Sequence, residues 1–227
     1  MTLLAIDCSA NLCAACVHDE TVDRELGREV RDLGKGHAEH LMAVIEEALE
    51  KSDKTFADLT VVAVSVGPGS FTGIRVAVAT ARGLALALKI PAIGVTTLEA
   101  LAAEARQDFA GRAILAALDG GRGDIHAALY DELAVLRYGP AAITLEEAVA
   151  MISAAGAPPV LTGTAARRIG EAAGRPCDLG PLAATADIAT YARLAAGKGP
   201  GEKPKPLYLR DADAKPQAGF VLPRVGG

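Results

Sequence analysis

Tryptophan is absent from this 227-residue chain, and aromatic residues make up only 4% of it. The apolar half of the sequence is therefore built mainly from alanine, leucine, valine and isoleucine, whose small side chains let secondary-structure elements pack closely. An excess of positive charge is also missing, since the formal net charge is −5. A protein that grips nucleic acid by itself usually shows a basic face. The composition therefore argues against direct binding of nucleic acid, and contact with RNA through a partner stays open.

Targeting and membrane-spanning patterns are missing as well. The first ten residues lack a basic segment, and Asp7 interrupts their apolar run, so they do not match a signal peptide. The next apolar stretch, residues 74–90, contains three basic side chains and is too short to span a bilayer. We therefore expect a cytoplasmic protein without a membrane segment.

Cysteine is scarce, with four residues in the chain. Cys13 and Cys16 have the C-x-x-C spacing, but the segment LCAACVHD is typical of a strand. In a strand, positions three apart point to opposite faces, whereas the thioredoxin-type motif opens a helix. The pattern therefore predicts small buried thiols rather than a redox motif.

Hydrophobic periodicity predicts a βββαβα order in the first part of the chain. The segments TLLAIDCS, CAACVHD and VDRELGREV are predicted strands, and an amphipathic helix begins at His37. The apolar strand LTVVAVSVG and a helix over Thr72–Lys89 complete the order. A further short strand follows, and then a helix with Thr97 as its expected N-cap.

The same order recurs in the second part of the chain. The segments AILAALDG, DIHAALYDE and AVLRYG are predicted strands, and the next helix has a capping box formed by Thr144 and Glu147. The strand PPVLTG and the helix TAARRIGEAAG follow, and then a last helix over residues 186–196, a linker and an extended tail. Two βββαβα units with an aspartate at the end of the first strand indicate an α/β protein with the actin-like ATPase (ASKHA) fold. We place a first lobe at residues 1–105 and a second, smaller lobe at residues 106–227.

The segment VSVGPGSFTGIR raises the question of a phosphate-binding loop. It lacks the Lys-Ser/Thr pair of a P-loop, misses G-x-G-x-x-G by one residue, and does not form the G-x-S-x-G elbow of a serine nucleophile. Ser70 is expected to cap the following helix, whose N-terminus could receive an anion. In the actin-like reading, Asp7 would stand near the same place. The candidate contacts for an anion or nucleotide are Asp7, Gly69, Ser70, Thr72, Gly73 and Arg75.

Several of these segments together resemble one protein family. LLAIDCSA, GHAEHL, VSVGPGSFTGIRVAVATARGLALAL, IPAIGVTTLEAL and PLYLRDAD occur in the order and spacing of the bacterial TsaB (YeaZ) family, over about residues 3–213. The resemblance implies an actin-like fold and a role in making threonylcarbamoyladenosine in tRNAs that read ANN codons. It also implies a non-catalytic paralogue that binds the transferase TsaD as a heterodimer, together with the ATPase TsaE. The alternative is a stand-alone ATP-dependent transferase or metallopeptidase of the same superfamily.

The resemblance also bears on catalytic and metal-binding residues. The catalytic relative TsaD holds a metal through two histidines in an H-x-x-x-H spacing, whereas the matching region here has His37 and His40 three residues apart. No third ligand can be assigned from sequence, so we expect no metal site and no catalytic residue. The second-lobe turn LDGGRGD retains Asp119, but the glycine pair that grips adenosine in active relatives is not evident. We therefore assign no bound cofactor to this chain alone; weak nucleotide binding in the cleft stays open, as does ATP or ADP at the junction with TsaD.

The predicted helix Thr72–Lys89 is apolar nearly all round and must be covered on more than one side. One side would lie on the sheet, and a line of small residues on the helix would allow another backbone to come close. The cover could be the first helix or the last helix of this chain, or a partner, and the resemblance favours TsaD. The expected interface residues are Leu41, Ile45, Leu49, Ala77 and Ala81. Without TsaD we expect the same surface to pair with itself as a homodimer, with tRNA contacted only through the complex.

Overall fold

The first part of the chain folds into a five-stranded mixed sheet. The computed structural model describes residues 1–199 and 201–209. The strands of the first sheet are β1 (Thr2–Asp7), β2 (Leu12–Asp19), β3 (Arg24–Asp32), β4 (Val61–Ser65) and β5 (Ala92–Val95). Their order is β3-β2-β1-β4-β5, with antiparallel pairing from β3 to β1 and parallel pairing from β1 to β5.

The second sheet repeats this arrangement with four strands. These are β6 (Ile114–Gly121), β7 (Asp124–Tyr130), β8 (Leu136–Ile143) and β9 (Val160–Thr162). Their order is β8-β7-β6-β9, with a parallel pair between β6 and β9. The first strand of each unit thus lies between an antiparallel and a parallel neighbour, which confirms the predicted actin-like fold of two βββαβα units.

Helices cover both sheets and separate them from each other. They are α1 (His37–Lys51), α2 (Phe71–Leu88), α3 (Thr97–Asp108), α4 (Leu145–Ala154), α5 (Ala166–Ala172) and α6 (Ile188–Ala196). Helices α1 and α2 share a core with one face of the first sheet, and α4 and α5 share another with the outer face of the second sheet. The third core joins the inner faces of both sheets around α3 and α6.

Both faces of β1 are buried because the strand is covered by helices on each side. Leu3 belongs to the central core and Leu4 to the core under α1 and α2. The same alternation separates the two cysteines of the C-x-x-C segment, since Cys13 lies in the α1–α2 core and Cys16 in the central core. The prediction of buried thiols on opposite faces is therefore confirmed.

The capping predictions are confirmed with one correction. Thr144 and Glu147 form the expected capping box at the start of α4, and Ser70 caps α2 by accepting a hydrogen bond from the Gly73 amide. The N-cap of α3 is Thr96 rather than Thr97, because the Thr96 hydroxyl accepts the bond from the amide three residues on, at 3.1 Å. The chain holds two adjacent threonines there, and the spacing alone did not distinguish them.

The predicted lobe boundary after residue 105 falls inside α3. This helix packs against β6 of the second sheet, while α6, which comes later in the chain, packs against β1 of the first. The division into lobes at residues 1–105 and 106–227 stays a prediction. The end of the predicted tail, including the last part of the matched segment PLYLRDAD, lies from residue 210 onwards and outside the described residues.

Candidate functional site

The glycine-rich loop between β4 and α2 packs against the turn that follows β1. The Ser70 amide donates a hydrogen bond to the carbonyl of Ser9 at 2.6 Å. A Cβ atom added at Gly69 would lie 2.1 Å from that same carbonyl oxygen, and one at Gly73 would lie 2.0 Å from the carbonyl oxygen of Cys8. Only glycine allows the two backbones to approach so closely. The loop's glycines therefore serve the contact between α2 and the β1–β2 turn.

A cleft of about 540 Å³ opens between the two sheets at this end of β1. Its walls are formed by residues from the β1–β2 turn, the glycine-rich loop, the end of β6 and the segment before α6. The lining residues are Ser9, Ala10, Asn11, Leu12, Asp32, Gly34, Gly69, Ser70, Leu118, Asp119, Gly120, His126, Thr164, Ala183, Ala184 and Thr185. These described residues include two carboxylates and no lysine or arginine. Arg168 is not among these lining residues, but it pairs with Asp119 at 3.7 Å, so the lining itself offers hydroxyl groups and the carboxylate of Asp32.

Asp7 lies beneath the cleft rather than in its wall. One of its carboxylate oxygens accepts a hydrogen bond from the Ser9 amide at 2.8 Å, and the other accepts one from the Thr185 hydroxyl at 2.7 Å. The Thr185 hydroxyl also contacts the hydroxyl of Tyr191 at 2.7 Å. Burial raises the pKa of Asp7, although these hydrogen bonds act in the opposite direction. Asp7 thus ties the β1–β2 turn to the start of α6 and has no exposed surface for a ligand.

The predicted anion contacts are corrected by their positions. Of the six candidates, only Gly69 and Ser70 line the cleft. Arg75 points elsewhere, since its guanidinium carbon lies 3.6 Å from the centre of the Phe71 ring and its Nε atom donates to the Tyr208 hydroxyl at 2.7 Å. Thr72 is exposed outside the cleft lining. The candidates do not form one anion site, because α2 directs its successive side chains to different sides.

The histidine pair of α1 is split between two environments. His37 is buried at the first position of the helix and His40 is partly exposed. Within residues 1–199 and 201–209, no group of three histidine, cysteine, aspartate or glutamate side chains is arranged to hold a metal ion.

The predicted interface residues lie inside the protein. Their side chains are at most 3% exposed and pack in the core between α1, α2 and the first sheet: Leu41, Ile45, Leu49, Ala77 and Ala81. Side chains without exposed surface cannot contact a partner, so the interface prediction is corrected for these five residues. The line of small residues on α2 allows it to approach its own sheet, and this use is equally consistent with the sequence pattern.

The opposite face of α2 is exposed and unusually apolar for a surface. Leu86 is 79% exposed, and the small residues Ala79, Gly83 and Ala87 are exposed beside it. This 18-residue helix has a mean hydropathy of 1.4 and is the one helix within the described ranges that is long and apolar enough to cross a membrane. The sequence analysis assigned no interface residue to this face, because periodicity alone does not say which face of an apolar helix the fold covers.

Charges of opposite sign flank the exposed surface of the two helices. The basic residues of α2 and the residue that follows it are Arg75, Arg82 and Lys89, and the exposed acidic residues of α1 are Glu39, Glu46 and Glu50. Met42 is exposed on α1 among these acidic residues. We call this combined surface, formed by the exposed residues of α1 and α2, the helix-pair surface.

Comparison with known proteins agrees with the two-unit fold. A family model described as TsaD, tRNA N6-adenosine threonylcarbamoyltransferase, matches residues 31–168, which is more than half of the chain. Proteins named tRNA threonylcarbamoyladenosine biosynthesis protein TsaB are 38% identical in Bacillus subtilis and 33% identical in Escherichia coli, each over 57% of this chain. The chain belongs to the TsaB (YeaZ) family. The matched stretch spans 55% of each of these two relatives, so the chain aligns with little more than half of their length.

Two further comparisons extend over most of the chain. An uncharacterized protein of Mycobacterium tuberculosis is 33% identical over 96% of this chain and 95% of its own length. The crystal structure of a Pseudomonas aeruginosa protein with similarity to peptidase YeaZ superimposes with a TM-score of 0.75 at 26% identity, over 92% of this chain and 99% of that one. A structure of YeaZ from the same organism gives a TM-score of 0.71 at 26% identity, over 86% of this chain and 90% of that one. The TsaB family resemblance noted from the sequence is thus confirmed in both sequence and fold.

Proposed function

We propose that this TsaB-family protein acts in the biosynthesis of threonylcarbamoyladenosine in ANN-decoding tRNAs, as a non-catalytic subunit that binds and organises the transferase TsaD together with the ATPase TsaE. The names of the relatives support the pathway. The helix-pair surface carries the proposal for the subunit role, because the exposed face of α2 within it is apolar and an exposed apolar face marks an interaction site.

The cleft supports a role without catalysis by this chain. Its described lining contains Asp32 and Asp119 and no lysine or arginine, and Arg168, which lies beside the lining, is paired with Asp119 at 3.7 Å instead of being free to neutralise a triphosphate. Asp7, which stands where an actin-like ATPase would use a carboxylate, is held in a buried hydrogen-bond network instead. Any ATP or ADP would on this proposal bind at the junction with TsaD, where the partner supplies the missing groups.

The helix-pair surface suits a partner better than a membrane. Gly83 and Ala79 leave the α2 backbone open to close approach by another helix, and Leu86 offers an apolar contact beside them. The basic side chains of α2 and the acidic ones of α1 flank this contact, and a surface with charges of both signs fits a protein of complementary pattern. The protein would on this basis work in the cytoplasm, with tRNA contacted through the complex.

The same charge pattern supports a homodimer when TsaD is absent. In a two-fold symmetric pair, each patch contacts its counterpart in a reciprocal way. Basic α2 of one copy would then face acidic α1 of the second copy, and both contacts would form twice. The expected self-association therefore weakens with salt, since the charged residues at its rim are exposed.

Reconstitution with purified components tests the function. The protein is incubated with threonylcarbamoyl-adenylate and an ANN-decoding tRNA, alone and then with TsaD and TsaE, and the modified nucleoside is measured by mass spectrometry. We expect product only when TsaD is present and a strong increase when this protein is added to TsaD and TsaE. Product formed by this chain alone would refute the non-catalytic role, and activity of TsaD that is indifferent to this chain would refute the subunit role.

A pair of matched variants tests the surface. Leu86→Arg places a charge on the exposed apolar face of α2, and Leu133→Arg makes the same change at an equally exposed site on the β7–β8 hairpin, where Leu133 is 81% exposed. Both variants should melt cooperatively near the wild-type temperature, because neither site is packed. We expect Leu86→Arg to lose co-purification with TsaD and Leu133→Arg to retain it. Equal binding by both variants would place the interface elsewhere.

A bulky substitution at Ala77 would not test the surface, because Ala77 is 0% exposed. A larger side chain there would overpack the core and unfold the chain before it reported on binding.

A further inference from the structure

Two thiols lie side by side in the core at the end of the β1–β2 hairpin. Their Sγ atoms are 3.8 Å apart, and both Cys8 and Cys13 are 0% exposed. Asp7 pairs with Ala14 in the antiparallel register, so the next pair outward brings Cys8 opposite Cys13. Opposite residues on antiparallel strands have Cα atoms about 4.5–5.5 Å apart, which lies within the range of about 4.4–6.8 Å that disulfides span.

The other two cysteines cannot take part in this pair. Cys16 points to the opposite face of β2 and belongs to the central core, while Cys13 belongs to the core under α1 and α2. Cys177 lies in the second half of the chain, where its thiol contacts the backbone carbonyl of Arg175 at 3.6 Å. Cys8 and Cys13 are therefore a defined pair, and the chain supplies two internal controls.

We propose that Cys8 and Cys13 form an oxidative modification site, in which a peroxide converts the two thiols into a cross-strand disulfide. The Cys13 thiolate attacks one peroxide oxygen, the O–O bond breaks, and the products are a sulfenic acid on Cys13 and, after protonation, water. The Cys8 sulfur then attacks the Cys13 sulfur, the S–O bond breaks, and the proton lost by Cys8 leaves with the hydroxide as a second water. A dithiol returns two electrons and two protons and restores both thiols.

The surroundings of the pair indicate which thiol attacks the peroxide and which one then closes the disulfide. The hydrogen bond between the thiols lowers the pKa of Cys13, with a further contribution from the charge of Arg31, and it raises the pKa of Cys8. Cys13 also pairs with Arg31 across β2 and β3, and this positive charge favours the Cys13 thiolate as the attacking group. The connecting residues Ser9–Leu12 line the cleft, so the turn that joins the two cysteines borders it.

A disulfide at this position would act on the base of α2. The Cys8 carbonyl oxygen is the atom that a Cβ at Gly73 would approach to 2.0 Å, so the Cys8 backbone and α2 are in direct contact. The intervening turn also receives the Ser70 amide at the Ser9 carbonyl. Formation of the disulfide would shorten the Sγ–Sγ distance from 3.8 Å to the length of a bond. The Cys8 backbone, which supports the start of α2, would move with its side chain.

Mass spectrometry of the folded protein tests the site. A variant with Cys16→Ala and Cys177→Ala keeps only the pair, and adding Cys13→Ser to it removes the pair. Each protein is treated with hydrogen peroxide under native conditions, the remaining thiols are alkylated, and the tryptic peptide Met1–Arg24 is measured. In the pair-only variant this peptide should lose about 2 Da, the two thiol hydrogens, resist alkylation, and regain both thiols with dithiothreitol.

Thermal melting before treatment establishes that each variant is folded, and wild-type protein is measured in parallel in case the alanines disturb the core. The Cys13→Ser variant should give no loss of mass, because Cys8 then lacks its partner. Two alkylated thiols after peroxide, added oxygen atoms on the cysteines, or a disulfide that forms only in denaturant would each overturn the proposal.

Discussion

Replacing Gly73 by alanine should destabilise the protein, although alanine is the better helix former. The new Cβ would lie 2.0 Å from the Cys8 carbonyl oxygen, whereas real Cβ contacts are essentially never under 3.0 Å. The start of α2 or the β1–β2 turn must therefore move by about 1 Å, and the contacted atoms are backbone atoms that cannot rotate away. Overpacking of this kind costs about 1–3 kcal/mol, and helix propensity returns at most about 1 kcal/mol. We expect a net loss that lowers the melting temperature by about 2–8 °C.

Gly83→Ala in the same helix is the control. No atom lies within 4 Å of a Cβ built at Gly83, so the substitution should stabilise the protein by about 0.5–1 kcal/mol through helix propensity alone. Melting is followed by circular dichroism at several protein concentrations, because self-association through the helix-pair surface would add a concentration-dependent contribution. If Gly73→Ala melts at or above the wild-type temperature, the close contact between α2 and the β1–β2 turn is refuted.

Three smaller predictions concern polar groups. Ser70→Ala should cost about 1 kcal/mol of unfolding free energy, because the Gly73 amide loses its cap, and Ser70→Asp should recover most of it; equal melting of Ser70→Ala and wild type would contradict the cap. Thr144→Ala should cost a similar amount at the start of α4, and denaturant titration would show no change if its capping box were unimportant. Burial raises the folded-state pKa of Asp7, so between about pH 4 and that raised value the folded state holds more protons and stability falls as pH rises. The Asp7→Asn variant has no carboxyl group to titrate, so its free energy of unfolding relative to wild type should increase as pH rises from about 4. If the free energies of unfolding of the variant and the wild type change in parallel with pH, the raised pKa of Asp7 is contradicted.

The order of elements was predictable because both β1 and β4 are apolar runs bounded by polar turns. Helix starts were equally readable where a serine or threonine stands alone before an apolar run, as Ser70 does. The N-cap of α3 could not be predicted in the same way. Either Thr96 or Thr97 has a suitable position at the start of the helix, and the backbone dihedral angles decide which hydroxyl accepts the hydrogen bond from the helix amide.

The candidate site was harder to predict because α2 is apolar nearly all round. Ala77 and Ala81 form a line of small residues that suits a sheet, a neighbouring helix or a partner equally well. The structure assigns that line to the core, and the exposed face contains Ala79 and Leu86 instead. Periodicity gives the angle between two faces of a helix but does not say which face the tertiary fold covers.

The role of the glycine-rich loop follows from its close contact with the β1–β2 turn. Gly69 approaches the Ser9 carbonyl and Gly73 the Cys8 carbonyl, so the loop follows the backbone of the β1–β2 turn over two successive residues. The Ser70 amide already donates to the Ser9 carbonyl and the Gly73 amide to the Ser70 hydroxyl, so neither amide is free for an anion. The glycines that resemble a phosphate loop serve this close contact. What they provide is a fixed base for α2, and a fixed base orients the exposed face that we assign to the partner.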